Sequence, residues 1–206
     1  MSEPRESDAL QATTVSFRPG ARADDGAVDR IDGSFTTDTI VDVHSSAEGF
    51  VLREVPVSPP IVKHFPDDAD SEEDAPVRFV AADQQGHICG AIDVVYAEWN
   101  RRLTIVDIKV APTHRGLGLG RRLVDLAIAH GRKSGARTLW LEVTNINAPA
   151  IRAYRRMGFA FCGLDTSLYR GTPADGEIAI FMSRDITNDG GQPDRREQRS
   201  DDRTVQ

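Results

Sequence analysis

The residues whose types and spacing most directly suggest chemistry are the glycines and arginines of the segment Arg115-Gly116-Leu117-Gly118-Leu119-Gly120. This segment runs straight into residues 121–127, where leucine and alanine recur at helical spacing. The first N–H groups of a helix lack internal partners and favour an anion, and glycine lets the backbone approach that anion closely. Because Arg115 and Arg121 can add charge-assisted contacts, the segment predicts a pyrophosphate site.

Two familiar phosphate loops fit these letters poorly. A mononucleotide P-loop has lysine and then serine or threonine after its last glycine, whereas Gly120 is followed by two arginines. A dinucleotide fingerprint needs three glycines spaced GxGxxG near the start of a βαβ unit. A glycine-rich turn by itself is often only a tight connection, so its interpretation depends on the segments around it.

The flanking segments supply a strand, a helix, a second strand and a second helix. Residues 104–110 and 138–143 are rich in the β-branched and apolar residues that suit strands. After the second strand, Asn147 is predicted as a helix N-cap, Pro149 fits the first turn, and Gly158 closes the helix in a left-handed conformation. Each junction in this order therefore carries residues suited to chemistry.

The two motifs together resemble the GCN5-related N-acetyltransferase (GNAT) superfamily. The resemblance rests on residues 115–120 as the pyrophosphate loop and on a second cofactor helix marked by Asn147, Ala150, Tyr154, Gly158 and Phe159. A narrower resemblance, to streptothricin (nourseothricin) acetyltransferases, runs from about residue 30 to about residue 186. It is carried by the strings at residues 32–39, 52–57, 99–104 and 162–165.

The resemblance implies a fold and a cosubstrate. The fold is α/β (α+β), with a central mixed but mostly antiparallel sheet, two splayed parallel strands that grip acetyl-CoA, and helices on both faces. Because the pantetheine arm lies between those two strands in the family, Ile108 and Val110 are expected to offer it backbone hydrogen bonds. The other residues expected at the cofactor are Arg115, Gly116, Gly118, Gly120, Arg121, Asn147, Ala150 and Tyr154, the last beside the thioester sulfur.

Acetylation of an amine requires a base, because an alkyl ammonium with a pKa of about 10 has no lone pair for attack. Two acids lie in the cofactor strands, Glu142 and Asp107. Glu142 lies twelve residues before Tyr154, the arrangement found in the similar ribosomal-protein N-terminal acetyltransferases, which favours Glu142 as base and Asp107 as the holder of the substrate's cation. The sequence leaves this choice open. Family position assigns Tyr154 as the acid that protonates the CoA thiolate.

A lysine, Lys109, stands where an acid is expected in the closest streptothricin relatives. Strand alternation puts Lys109 on the same face as Asp107, so the two side chains can pair with each other instead of meeting the acceptor.

The acceptor site is expected from the resemblance to involve residues 31–62 and several turns. The candidates are Asp38 with Thr36 and Thr37, then Glu98 and Trp99, and finally Asp165 and Tyr169. Each of them also suits a turn, a helix cap or simple packing. The acidic run at residues 67–74, six acids in eight residues, is either a solvated loop or a rim that attracts cations.

Length, charge and composition bound the remaining alternatives. A chain of 206 residues with a net charge of −7 predicts one domain and argues against a nucleic-acid partner. Cys89 and Cys162 form no metal or disulfide spacing, which predicts no metal and a reduced, cytoplasmic setting. No signal-like or membrane-spanning run is present in the sequence. We predict disorder over residues 1–28 and 187–206, and a folded domain over residues 29–186.

The domain itself is predicted to contain an antiparallel meander from residue 77 into the central strand, with closing strands at 159–164 and 178–182. An earlier strand is expected to stop at Pro59-Pro60.

Three functions follow as hypotheses. The leading one is acetylation of a cationic small molecule, most directly the β-lysine amine of streptothricin-class antibiotics, which would confer resistance. The second is acetylation of protein N-termini or lysines by the same fold. The third is a CoA-binding module without turnover. The sequence leaves open whether two chains associate as a homodimer.

Overall fold

The computed structural model describes residues 14–64 and 76–187. Its strands are β1 (Ser16–Pro19), β2 (Phe35–Ser46), β3 (Gly49–Lys63), β4 (Val77–Ala82), β5 (Ile88–Ala97), β6 (Arg102–Val110), β7 (Thr138–Thr144), β8 (Ala160–Asp165) and β9 (Ala179–Asp185). Its helices are α1 (Asp25–Asp29), α2 (Leu119–Lys133) and α3 (Ala148–Arg156). Within these residues no helix has the length and apolar character needed to cross a membrane.

Seven strands form one sheet in the order β1-β4-β5-β6-β7-β9-β8, and β2 pairs with β3 in a separate hairpin. Every neighbouring pair in the large sheet is antiparallel except β6 and β7, which run parallel. The meander β4-β5-β6 and the two closing strands β8 and β9 agree with the sequence prediction. The predicted mixed, mostly antiparallel sheet is therefore confirmed.

The two parallel strands part halfway along their length. Their pairing covers only Arg102–Ile105 of β6 and Thr138–Leu141 of β7. At the point of parting, the register between β5 and β6 shifts, because Asp93 lies opposite Asp107 but Val94 lies opposite Ile105. Val106 is thus a bulge, and a bulge bends the strand that carries it. The rest of β6 stays paired with β5 and leaves a gap beside β7.

Helices cover both faces of the sheet, as predicted. Val80 and Ala81 are neighbours on β4 and therefore point to opposite faces. Val28 of α1 belongs to one buried cluster with Val80, whereas Leu123 of α2 belongs to the main core with Ala81. Consequently α1 and α2 lie on opposite sides of the sheet.

Helix α2 sets the position of the glycine-rich loop. One face of the helix is buried, and its apolar residues are Leu119, Leu123, Val124, Ala127 and Ile128. A Cβ added at Gly131 would lie 2.9 Å from the Leu103 Cδ2 atom, so glycine lets the helix approach β6 closely. This packing fixes the N-terminus of α2 beside the gap between β6 and β7.

The hairpin β2–β3 is held to the large sheet by a few specific contacts. The Val41 N–H donates to the Asn145 carbonyl at 2.9 Å, and the Asn145 side-chain amide donates to the Val41 carbonyl at 3.0 Å. The predicted stop at Pro59-Pro60 is wrong, since β3 continues to Lys63. The prolines are tolerated because the register jumps there: Thr37 lies opposite Ile61 and Thr39 opposite Pro56, which leaves residues 57–60 outside the ladder.

The predicted disorder of residues 1–28 is wrong from Thr14 onward. β1 pairs with β4, and two N–H groups of Arg18 bind Asp24 at 2.7 and 2.8 Å, which lowers the pKa of that carboxyl to about 2. Val28 is 1% exposed. The segment has few apolar residues, so its sequence predicts disorder. It is ordered instead by contacts with β4 and β5. Residues 1–13, the tail at 188–206 and the acidic run at 67–74 lie outside the described residues.

Shortening a core side chain of α2 tests the packing directly. Leu123 is fully buried, so Leu123→Ala should lower the free energy of unfolding by about 2–5 kcal/mol, measured by urea denaturation. Leu117, which is 60% exposed, provides the control, and Leu117→Ala should change stability by less than about 0.5 kcal/mol. Equal losses for the two variants would contradict the packing described here.

Candidate active site

A cleft of about 510 Å³ opens where β6 and β7 part. The C-terminal half of β6 forms one wall and the C-terminal half of β7 forms the other. Helix α3, the end of β3 and the loop before β9 complete it. Its lining includes Val106, Asp107, Lys109, Glu142, Thr144, Asn147, Ala150, Tyr154, Tyr169, Glu177, Lys63 and His64.

The glycine-rich loop has the backbone of an anion cradle. Gly116 and Gly118 adopt positive φ values of 79° and 83°, and a Cβ added to either would meet no atom within 4 Å. Gly118 caps α2, and the first N–H group bonded within the helix is that of Arg122, which donates to the Gly118 carbonyl. The N–H groups of the first turn therefore point outward, as a pyrophosphate group requires. Gly120 lies within this turn.

The structure gives the two loop arginines different surroundings. Arg115 donates to the carbonyls of Val110, Ser34 and Asp32 at 2.9, 2.7 and 2.7 Å. These contacts tie the loop to β6 and to the segment before β2, which differs from the phosphate contact predicted for Arg115. Arg121 is exposed on the first turn of α2, where it remains the predicted cationic partner of a phosphate.

The gap exposes backbone groups of β6. The Ala111 N–H donates to the Cys89 carbonyl of β5 at 2.9 Å. Since N–H groups alternate between the two sides of an antiparallel strand, those of Ile108 and Val110 point away from β5 and into the gap. Both residues thus present the donors expected to bind an extended amide-containing chain.

Helix α3 brings its predicted residues to the other side of the cleft. The Asn147 side-chain oxygen accepts from the Ala150 N–H at 3.2 Å, and Gly158 follows the helix with φ 89°, so the predicted N-cap and left-handed closing glycine are confirmed. The Tyr154 ring packs on Phe159, with centroids 5.6 Å apart. Burial raises the pKa of Tyr154, and the nearby charges of Asp107 and Glu142 raise it further.

The hydroxyl of Tyr154 makes no hydrogen bond to any described residue. Because its pKa is raised, the phenol keeps its proton at neutral pH. Its O–H is therefore available to a group bound in the cleft.

Glu142 points into the cleft and receives a hydrogen bond from the Tyr169 hydroxyl. Its side chain remains open to solvent through the mouth of the cleft, but protein atoms surround it on the walls. This burial raises the pKa of Glu142; the Tyr169 hydrogen bond opposes that rise and the charge of Glu177 adds to it. A carboxylate with a raised pKa is well suited to accept a proton near neutral pH.

Asp107 is in a different electrostatic situation. Its carboxylate pairs with the Lys109 ammonium at 3.1 Å, which confirms that these two side chains share a strand face. Burial raises the pKa of Asp107, while Lys109 lowers it and the charge of Asp93 raises it. Asp107 thus already holds a cation, whereas Glu142 holds none among the described residues. This contrast favours Glu142 as the base.

Sequence reasoning missed three residues of the cleft. The Lys63 ammonium forms an ion pair with Glu177, and the second Glu177 oxygen accepts a hydrogen bond from Thr144. Lys63 and Glu177 lie 114 residues apart in the chain, and neither belongs to a recognisable motif. Only the folded structure brings them together.

Five of the predicted acceptor residues do not line the cleft, although Tyr169 does. Glu98 and Trp99 form a turn before the first residue of β6, whereas the cleft opens at the other end of that strand, and Trp99 is 86% exposed. Asp38 lies exposed at the irregular register of the hairpin, where it accepts from the Thr39 hydroxyl at 3.0 Å. Thr36 is likewise exposed, while Thr37 is buried and bonds to Thr39.

Asp165 serves a turn instead of the cleft. Its Oδ1 atom accepts from the Ser167 hydroxyl and the Ser167 N–H, both at 2.7 Å, and these bonds lower the pKa of the carboxyl. A short acid two residues before serine favours this local turn.

Comparisons with known proteins agree with the fold and the cleft. The model of the acetyltransferase (GNAT) family matches residues 47–159. Streptothricin acetyltransferase of Streptomyces lavendulae is 54% identical over 83% of this chain and 95% of that protein. Streptothricin acetyltransferase of Escherichia coli is 32% identical over 71% of this chain and 83% of that protein. The crystal structure of a nourseothricin acetyltransferase superimposes with a TM-score of 0.79 at 53% identity, covering 84% of this chain and 99% of that one.

The chain belongs to the GNAT acetyltransferase family. It is an N-acetyltransferase with acetyl-CoA as cosubstrate, in keeping with the open glycine cradle and the donors in the gap.

Adding one methyl group to the cradle tests the assignment of the loop. Gly118→Ala should raise the Kd for acetyl-CoA by about 10-fold or more, because the new Cβ occupies the space that the pyrophosphate needs. Isothermal titration calorimetry measures this change. Gly135→Ala is the matched control, since Gly135 has a similar φ of 88° but follows the opposite end of α2. If both variants lost stability equally and neither lost affinity, the loop would not be the pyrophosphate site.

Proposed function

We propose that this enzyme transfers the acetyl group of acetyl-CoA to a primary amine of a streptothricin-class antibiotic, most directly the amine of its β-lysine part, and so confers resistance. The observation that carries the proposal is the anionic cleft at the parting of β6 and β7, in which Glu142 has no cationic partner among the described residues. The similarity to streptothricin acetyltransferases over nearly their whole length supports the choice of acceptor.

Glu142 acts first in the proposed reaction. An alkyl ammonium is attracted to its carboxylate, and the amine must lose one proton before it can attack. Glu142 takes that proton, directly or through one water, and later releases it to solvent. The nitrogen lone pair then forms the new N–C bond as the C–S bond of the thioester breaks.

Tyr154 acts on the leaving group. Its protonated hydroxyl, which has no hydrogen-bond partner among the described residues, donates a proton to the departing sulfur, so that CoA leaves as the thiol. The nitrogen of the new amide then loses its second proton, which passes through solvent and restores the phenol. The N–H groups of β6 that face the gap support acetyl transfer by polarising the acetyl oxygen. Positioning of the two substrates by opposite walls of one cleft supplies much of the remaining acceleration.

The two cysteines indicate the compartment in which the enzyme acts. Cys89 and Cys162 are both free thiols, and Cys162 is exposed. Free thiols suit a reducing compartment, which supports action in the cytoplasm.

A thiol-release assay with purified protein, acetyl-CoA and alternative acceptors tests the function. We expect saturable release of CoA with streptothricin and little with free lysine or an N-terminal peptide. Release with the peptide alone would assign the enzyme to protein acetylation. Absence of release with every acceptor, alongside normal acetyl-CoA binding, would indicate a binding module.

Removing the phenol oxygen tests the role of Tyr154. Tyr154→Phe should lower kcat by about 100-fold or more, while the Kd for acetyl-CoA measured by calorimetry stays near its original value. The hydroxyl has no hydrogen-bond partner in the described part of the chain, so thermal stability should also be preserved. Unchanged kcat would exclude Tyr154 as the acid.

The pH dependence separates Glu142 from Asp107. The raised pKa of Glu142 means that kcat/KM should increase with pH through a value above the ordinary glutamate pKa of about 4.3, because only the ionised form is a base. Glu142→Gln should lower kcat/KM by about 10²–10⁴ and abolish this limb. Asp107→Asn should act mainly on KM and leave the limb in place. The reverse pattern would make Asp107 the base.

A further inference from the structure

Among the described residues, three carboxylates face the cleft, and they differ in their partners. Asp107 is paired with Lys109, and Glu177 is paired with Lys63. Within residues 14–64 and 76–187, Glu142 receives only the hydroxyl of Tyr169. The cleft is therefore arranged so that one of its acids stays open to an incoming cation.

The Lys63–Glu177 pair is more enclosed than an ordinary surface salt bridge. The side chains of Lys63 and Glu177 are only 15% and 13% exposed, and Thr144 binds the second oxygen of Glu177. The charge of a pair this enclosed depends on its partner, because removing one member leaves the other in a poorly solvated place. The pair also connects the last residue of the β2–β3 hairpin to the loop before β9.

Several charged and titratable groups line the same cleft as Glu142. From β6 these are Asp107 and Lys109, from α3 Tyr154, from the loop before β9 Tyr169 and Glu177, and from the end of β3 Lys63 and His64. Burial is the largest cause of the raised pKa of Glu142, and the like charge of Glu177 adds to it. Lys63 forms an ion pair with Glu177 and so places a positive charge beside that like charge.

We propose that Lys63 is a positioning residue for acetyl transfer, which neutralises Glu177 and thereby leaves Glu142 as the ionised, open site for the acceptor's ammonium group. The inference rests on the function proposed above, with Glu142 as base. Within the described residues Lys63 forms an ion pair with Glu177 and none with Glu142, so it acts through Glu177. Its ammonium group also shows that this end of the cleft accommodates an alkyl ammonium next to a carboxylate.

Four proteins measured side by side test this role: the original enzyme, Lys63→Met, Glu177→Gln and the double variant. The acidic limb of kcat/KM with streptothricin is the readout. Lys63→Met leaves an uncompensated anion and should move the limb to higher pH by roughly half a unit to one unit. Glu177→Gln leaves an uncompensated cation and should move it to lower pH. The double variant should return close to the original position, because both charges are gone.

Shifts of the same sign in the two single variants, or lost activity with no displacement of the limb, would overturn the proposal. Lys63→Arg is the conservative variant and should keep the limb in place. Thermal unfolding and acetyl-CoA binding, recorded for each variant, separate misfolded proteins from altered charge.

A second readout needs no acceptor. In protein labelled with carboxyl-¹³C glutamate, the Glu142 signal, assigned by its loss in Glu142→Gln, should titrate with the same opposite shifts. If the Glu142 titration moved in opposite directions in the two variants but streptothricin was not acetylated, the proposed acceptor would be refuted and the role of Lys63 would stand. If the Glu142 titration stayed in place in both variants and the enzymes still acetylated streptothricin, the role of Lys63 would be refuted and the acceptor would stand.

Discussion

The parting of β6 and β7 is the constraint on which the rest of the structure depends. Because the two parallel strands stop pairing after Ile105 and Leu141, the N–H groups of Ile108 and Val110 have no partner among the described residues, and such groups must find water or a ligand. The Val106 bulge redirects β6 without breaking its ladder with β5. The fold thus creates a slot with backbone donors on one wall and the side chains of β7 and α3 on the other.

The elements around this slot fix the chemistry of each end. Packing of α2 against β6, made close by Gly131, puts outward-pointing N–H groups beside the gap. Helix α3 carries Tyr154 to the gap, with a hydroxyl that keeps its proton because its pKa is raised. Asp107 of β6, Glu142 of β7 and Glu177 of the loop before β9 form the acidic side. Phosphate recognition, proton donation and cation attraction are therefore separated along one cleft.

Local sequence signals predicted the parts that local physics determines. The glycine loop, the Asn147 cap and Gly158 depend on helix termini, and the meander depends on strand alternation, so all of them can be recognised from a few neighbouring residues. Glu142 and Tyr169 were also proposed from the sequence, and the fold brings them into hydrogen-bond contact. Family resemblance supplied the link between these local signals and a common site.

The remaining features depend on contacts between distant segments. Arg115 carries the charge expected of a phosphate ligand, yet three carbonyls from two segments engage it. β3 passes through two prolines because its partner strand changes register there. Residues 16–19 pair with β4, and Lys63 meets Glu177 at a separation of 114 residues in the chain. No periodicity or spacing encodes such contacts.

Amide hydrogen exchange at single-residue resolution, with and without acetyl-CoA, tests the central claim most directly. We predict that the cosubstrate slows exchange at the N–H groups of Ile108 and Val110 by about 10-fold or more, the change that a new hydrogen bond worth roughly 1.4 kcal/mol would produce. The Ala111 N–H, which is already bonded to Cys89, should change little. Protection of Ala111 without protection of Ile108 and Val110 would contradict the claim that the open edge of β6 binds acetyl-CoA.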